Sequence, residues 1–474
     1  MRSRFLLAGA CASLAGLALP SSGPGVAFAR TLDRRGAIRA ALVQNPQVAA
    51  ARAEEAAAQA QLRQVDAARA PMLTLDGGVG PSLVASLVPG TATQSIQDQY
   101  RNFRWSDLSA VFVGELRVIQ PLYTFGKIAL RGEAASHGLR ARQAQTRMQR
   151  ADVAFEVAQL YESCLYARDV ERFLNEIDHW LDSTLQATQT KLVEGAGSVT
   201  DRDVLRLQSA RALAAMGLNQ ARAGLAQARG GLAAYLGIPA DEPLTFAEED
   251  LVPVGRVPQT FAELGRLALG NRPEVVALRE GQGALSALGR AEAAGLWPNL
   301  FLMAFVSAAY TPGRDWIQSR FVLDPLNHFA PGALLGFRWE LQGNMAASRA
   351  AEQQAHADAL ARLGDWAGAG IPAQVRQAYE DVQRTEKDIA EGHQAIGQAK
   401  RWMVESSADY GVGLLDVREV SDAVQAYVTL RVGIFKARFD HNVAMAALSR
   451  ATGTLDGDAE IFYLDRTPTE ETTP

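Results

Sequence analysis

Asp416 and Glu419 stand three residues apart at the start of a long helical pattern, which places both carboxylates on one face of a helix. Such a pair presents a negative patch to cations. Acids also suit the first turn of any helix, where the macrodipole favours negative charge without further purpose. Arg418 lies between them, and Arg202 with Asp203 occupies the same place in an earlier helical pattern. His137, His179, His328, His356, His393 and His441 show neither HExxH nor any paired spacing, so no metal site is expected. The absence of GxSxG, Walker A and GxGxxG arrangements leaves no nucleophile or phosphate cradle. No catalytic residue, no enzyme activity and no cofactor is therefore expected. A formal charge of -5 gives no reason to expect nucleic acid as a partner.

The elements that must position these acids come in two copies. Residues 41–75 reappear as residues 268–302 without a gap, with Pro46 on Pro273, Arg52 on Arg279, Arg63 on Arg290 and Pro71 on Pro298. A repeat of this kind implies two similar structural units packed around pseudo-symmetry. Each half reads helix, strand, loop, strand, very long helix, tight turn, long helix. In the first half, residues 32–70 form a helix interrupted at Asn45-Pro46, and residues 72–80 and 110–122 form strands around a polar loop at 89–107. Residues 124–191 contain no proline and carry apolar residues at helical spacing, among them Val153, Val157, Leu160, Cys164 and Val170. At 1.5 Å per residue that is a rod of about 100 Å, which implies a coiled coil or helical barrel. A turn at 195–198 and a helix at 201–236 complete the unit.

The second half predicts a helix at 261–296, a strand at 298–310, a loop at 311–331 and a strand at 333–342. A long helix follows at 344–409, broken or bent by Gly368, Gly370 and Pro372, then a turn at 410–413 and a return helix at 415–452. The expected divisions are a secretory signal at 1–29, a first repeat at 30–238, a connector at 239–260, a second repeat at 261–453 and a partly disordered acidic tail at 454–474. Lipidation at Cys11 is the disfavoured alternative to ordinary cleavage, because the apolar run before it is short. With the signal removed, Cys164 is the one cysteine left, so packing rather than a disulfide must hold the fold.

The strands bear on the surroundings. In residues 333–342, Leu335, Phe337, Trp339 and Leu341 share one parity, while Arg338 and Glu340 fall on the other. In residues 110–120, Phe112, Leu116 and Val118 alternate with Glu115 and Arg117. A half-buried soluble sheet shows the same alternation. Four strands of this length in an exported chain favour a barrel, with Glu115, Arg117, Arg338 and Glu340 in a wet lumen and the apolar parity toward lipid. Four strands cannot close a barrel, so several chains must contribute.

The duplicated helix with its proline kink, the segment Gln120-Pro121-Leu122-Tyr123-Thr124-Phe125-Gly126-Lys127, and the turn Tyr410-Gly411-Val412-Gly413 before Asp416-Val417 together resemble the TolC-like outer-membrane efflux protein (outer membrane factor) family. Gly195, Gly197 and Asp203-Val204-Leu205 extend the resemblance into the first half. It implies a mainly α fold in which duplicated long hairpins form a trimeric periplasmic α-barrel, with four strands per protomer in a twelve-stranded outer-membrane β-barrel. The connector and the tail would form an equatorial belt. It also implies a homotrimer working with a periplasmic adaptor protein and an inner-membrane RND or ABC transporter, as an exit duct for efflux or type I secretion. Asp416 and Glu419 would then ring the periplasmic entrance, with Arg418, Arg202 and Asp203 pairing nearby to hold it shut. Gly195, Gly197, Val412, Gly413, Leu414 and Leu415 would form the tips that meet the adaptor, since apolar groups at an exposed turn often mark contacts. The alternative from another class is a soluble periplasmic coiled-coil scaffold without channel activity.

Overall fold

Asn45 ends one helix and begins the next. Its extended backbone breaks α1 (Arg34–Gln44), and its carboxamide oxygen accepts from the Gln47 amide at 2.8 Å while Pro46 fills the first position of α2 (Pro46–Ala67). The computed structural model describes residues 30–83, 105, 108–195, 199–255, 257, 259–314, 316, 321, 324–341 and 344–455. The expected signal segment with Cys11, most of the 89–107 loop, Gly197 and residues 456–474 lie outside the described residues. Two strands follow α2, β2 (Met72–Leu83) and β3 (Leu108–Tyr123), and β1 (Arg30–Leu32) precedes α1. The chain then enters α3 (Lys127–Val193), a helix of 67 residues, and returns through α4 (Asp201–Leu236). Gly237 closes α4 in the left-handed region at φ 66°, where a side chain would be strained.

After β4 (Leu244–Phe246) the plan repeats with α5 (Phe261–Asn271), α6 (Pro273–Ala293), β5 (Asn299–Tyr310), β6 (His328–Arg338), α7 (Met345–Gly411) and α8 (Val417–Ala451). The fold is mainly α, built from two long hairpins, α3–α4 and α7–α8, with α3 also packed on α6 and α8. No described helix is long and apolar enough to cross a membrane.

Five regions differ from the sequence expectation. The helix at 261–296 breaks at Arg272 because Pro273 cannot continue it, as at Asn45-Pro46 in the first copy. In contrast, α7 runs unbroken through Pro372. The carbonyl that the proline ring crowds belongs to Gly368, whose missing side chain eases the adjustment, and buried Ile371 and Val375 anchor the segment on both sides. Strand β6 starts at His328 and ends at Arg338, so Trp339, Glu340 and Leu341 fall beyond it. Pro331 hid the start: β6 is an edge strand, where a missing amide hydrogen costs no ladder bond on the open side. The connector at 239–260 contains β4, which pairs in parallel with β1. Thr454 and Leu455, at the start of the expected tail, are buried.

The large sheet is antiparallel in the order β2-β3-β5-β6, with both outer strands unpaired on one side. One core cluster lies where α1, α3, α4, α7 and α8 meet and includes Tyr161, Leu165, Leu232, Val375 and Met445. A second, including Phe173, Leu181, Leu207, Val420 and Phe435, runs down α3, α4 and α8 toward the turns.

Candidate functional site

At the turns, α3 gives way to Gly195 at φ 73° and α7 to Gly413 at φ 80°, both left-handed positions that glycine alone takes freely. The hairpins are tied together there. Thr188 and Tyr410 bond through buried hydroxyls 3.0 Å apart, and the Lys191 ammonium donates to the Gly411 carbonyl at 3.0 Å. Beyond these ties the surface is apolar and open: Val193, Val412 and Leu414 are exposed, and Leu415 partly so. Val193 escaped the sequence reading because it ends a helix rather than sitting in a turn motif.

The acids of the two hairpins fare differently. Asp416 is the N-cap of α8 and accepts from the Arg418 amide at 3.0 Å. Its nearest cation is Arg206 of α4, at 3.7 Å, one turn further into the helix than the arginine singled out from sequence. Arg418 turns instead to Asp422 of its own helix at 3.9 Å. Glu419 and Arg202 are exposed. Asp203 is buried and committed to a capping box, accepting from the Thr200 amide at 2.8 Å and hydroxyl at 2.9 Å. Its carboxylate therefore serves as the cap of α4. Arg206, Arg418 and Asp422 line an open groove of about 1040 Å³ between α3, α4 and α8.

A polar cluster at the level of the connector was invisible in the sequence. Arg34 donates to Glu162 from Nε at 2.5 Å and Nη2 at 3.3 Å, and to Glu248 at 3.0 Å. Asn442 of α8 donates to the same Glu162 at 2.7 Å and to the Val252 carbonyl at 3.0 Å. Its carboxamide oxygen takes the Val254 amide at 2.9 Å, while Asp169 takes the Leu251 amide at 2.7 Å. Arg168 and Arg438 hold the carbonyls of Glu248, Glu249 and Leu251. Residues 248–254 are thus a strap bound by side chains from both hairpins. His441, facing the Val254 carbonyl and the Thr385 hydroxyl, has its pKa lowered by burial.

The sheet has two unlike faces. Register places Asp76, Glu115, Arg117 and Arg338, every charged residue of the four large strands, on one face. Arg117 is paired with Glu115 on its own strand. Glu340 lies beyond the end of β6, outside the paired register. The opposite face carries Leu75, Val79, Phe112, Leu302, Leu335 and Phe337, all exposed, and no charge. Aromatic residues stand at both ends: Tyr123, Trp297 and Trp339 near the helices, Phe112, Tyr310 and Phe329 at the far end. Trp297 stacks on Phe125 at 5.5 Å, and its carbonyl accepts from Lys127 at 2.6 Å, which fastens the sheet to α3.

Residues 37–238 match the profile of the outer membrane efflux protein family. No curated protein sequence gives a match. Among solved structures, the outer-membrane channel OprN aligns with a TM-score of 0.71 at 19% identity, covering 89% of each chain. VceC from Vibrio cholerae aligns at 0.71 and 17% identity over 89% of this chain and 96% of that one. The Campylobacter jejuni channel CmeC aligns at 0.72 and 14% identity over 91% and 87%. At such identities the likeness is one of fold, and it extends over both halves. The resemblance read from the sequence stands on these two grounds.

Proposed function

With the outer membrane efflux protein pattern in its first half and the fold of outer-membrane channels over most of its length, we propose that the chain is a passive exit duct across the outer membrane and periplasm. The observation that carries this is the sheet: one face without charge and exposed, aromatic residues at both ends, and two unpaired edges. Strands of twelve residues at about 3.3 Å each, tilted near 40°, rise about 30 Å, enough to span a bilayer core. Four strands need neighbours to close, and a cyclic homotrimer gives twelve. The long hairpins then form the periplasmic tunnel. Its tips, through Val412, Leu414, Leu415 and Val193, meet a periplasmic adaptor, and an inner-membrane RND or ABC transporter supplies cargo and energy. Asp416 and Glu419 ring the entrance and favour cations, with Arg206 holding Asp416 across the two hairpins.

Membrane extraction tests the reading. The protein should resist carbonate washing, require detergent, run as a heat-sensitive trimer and conduct in planar bilayers. Release by carbonate as a monomer would establish the soluble scaffold instead. For the entrance, Asp416→Ala combined with Glu419→Ala should weaken block by multivalent cations in single-channel recordings. Unchanged block removes these positions from the conduction path.

A further inference from the structure

The end of the sheet far from the helices is covered on one face only. Ala309 lies two residues beyond Ser307, the partner of Glu115, and is itself paired with His328, so both belong to the charged face. Ala309 is 4% exposed, and Thr311, the next position of that parity, 1%. At this end of the opposite face, Phe112, Tyr310 and Phe329 are exposed. A strand end standing free in water would leave both faces open, so the chain must fold back over the charged one.

Residues 324–327 do so. The His328 imidazole, on the charged face, meets the Ser307 hydroxyl through Nε2 at 2.9 Å and the Asp324 carbonyl through Nδ1 at 3.0 Å. The second contact puts the Asp324 backbone over the wall rather than beyond its rim. Thr311 donates from its amide to the Asn327 carboxamide at 2.7 Å and from its hydroxyl to the Leu326 carbonyl at 3.0 Å. Val113, opposite Ala309 on β3, stays exposed, so the cover reaches across β5 and β6 and stops there. Surface loops are ordinarily the mobile parts of a fold. This one is fastened at its foot. The Asp324 carboxylate accepts from the Arg314 guanidinium at 2.6 Å and from the amides of Leu326 at 3.0 Å and Asn327 at 3.3 Å, while Asn327 donates to the Arg314 carbonyl at 3.2 Å. The side chains of Arg314 and Asp324 are 8% and 3% exposed, so their charges face each other rather than water, and breaking a buried pair is costly. Pro325, exposed, and Leu326, half-buried, are neutral.

We propose that residues 324–327, locked by Arg314, form a fixed ledge over the external mouth of the duct, repeated in every copy of the ring, which sorts cargo by size and not by charge. The assignment rests on the charged face lining the duct and on the helices lying in the periplasm. The ledge narrows the mouth without closing it, because β3 is left uncovered. Its position is set by buried bonds, so the width it leaves is a constant of the fold.

Planar-bilayer recordings of the reconstituted protein test this in Pro325→Cys. A bulky, water-soluble thiol reagent added to both sides should lower the single-channel conductance in steps, one for each copy of the ring. Cys164 is buried and does not compete for the reagent. Phe329→Cys, at the same end but on the opposite face, is labelled in detergent before reconstitution and should conduct as the wild type does. Unchanged conductance in labelled Pro325→Cys, failure of that residue to react, or an equal fall in labelled Phe329→Cys overturns the proposal. A second measurement releases the lock: in Asp324→Ala, polyethylene glycols too large for the wild-type channel should enter it and depress the current. An unaltered exclusion limit also counts against the ledge. Absence of conductance in the wild-type protein would instead remove the duct reading beneath it.

Discussion

The strap and the tips use the same pairing chemistry with opposite effect. At the strap, Glu162 has no solvent exposure and meets Arg34 at 2.5 Å, with Asn442 supplying a further bond. At the tips, Asp416 and Arg206 are 3.7 Å apart with 66% and 46% of their side chains exposed. Water screens the second pair, and such pairs contribute about 0–1 kcal/mol. It is excluded from the first, where breaking a buried pair costs about 3–5 kcal/mol, eased on the arginine side by the second carboxylate, Glu248. Burial, not charge, decides which contact welds and which one yields. The ion pair therefore welds the hairpins at the strap, whereas at the tips the buried Thr188–Tyr410 bond and the Lys191–Gly411 bond, not the Asp416–Arg206 pair, hold them together.

The largest effect should come from Glu162→Ala, which leaves Arg34 and Asn442 without their shared acceptor. We expect a loss of about 3–5 kcal/mol in denaturant unfolding, and a loss below about 1 kcal/mol would erase the contrast. Asp203→Ala should cost about 1 kcal/mol, the usual worth of a helix cap, with no change in cation block. An altered block would return Asp203 to the entrance. His441 gives a smaller, pH-dependent effect. Its folded pKa lies below the ordinary value because of desolvation, so its contribution is intact above that ordinary value. It declines as pH falls below it, since the unfolded imidazole takes the proton first. Thermal midpoints should fall from pH 7 to pH 5, and His441→Gln should flatten that slope; an unchanged slope would assign it to other groups. Arg206→Ala should change stability least, by under about 1 kcal/mol, yet raise the open fraction in single-channel records. If it destabilises as much as Glu162→Ala, the tip ion pair is not the weaker of the two.

The duplicated helices and long rods were legible because proline spacing and apolar periodicity are local signals carried over dozens of residues. Asn45 and Arg272 show the limit of that reading. They occupy equivalent positions before a proline, yet Asn45 caps α2 and Arg272 reaches Gln374 on α7 at 2.5 Å. Strand parity sorted Glu115, Arg117 and Arg338 onto one face from alternation alone, but could not end β6 at Arg338, where its partner β5 begins at Asn299. The strap left no trace in the sequence, because its bonds run from scattered side chains to the backbone of a segment without periodicity. Arg206 was missed for a related reason: the tip motifs direct attention to the first turn of each helix, whereas the gap between hairpins is bridged from the second.

Glu162 is joined to Arg34 near the beginning of the folded chain and to Asn442 near its end, a separation of 280 residues from the latter. That geometry leaves the joint incomplete until the last long helix is in place. A chain cut short before α8 lacks Asn442 and Arg438, so Glu162 keeps only Arg34 of the partners described and the strap is held from the first hairpin alone, which offers proteases an opening that the finished molecule has closed.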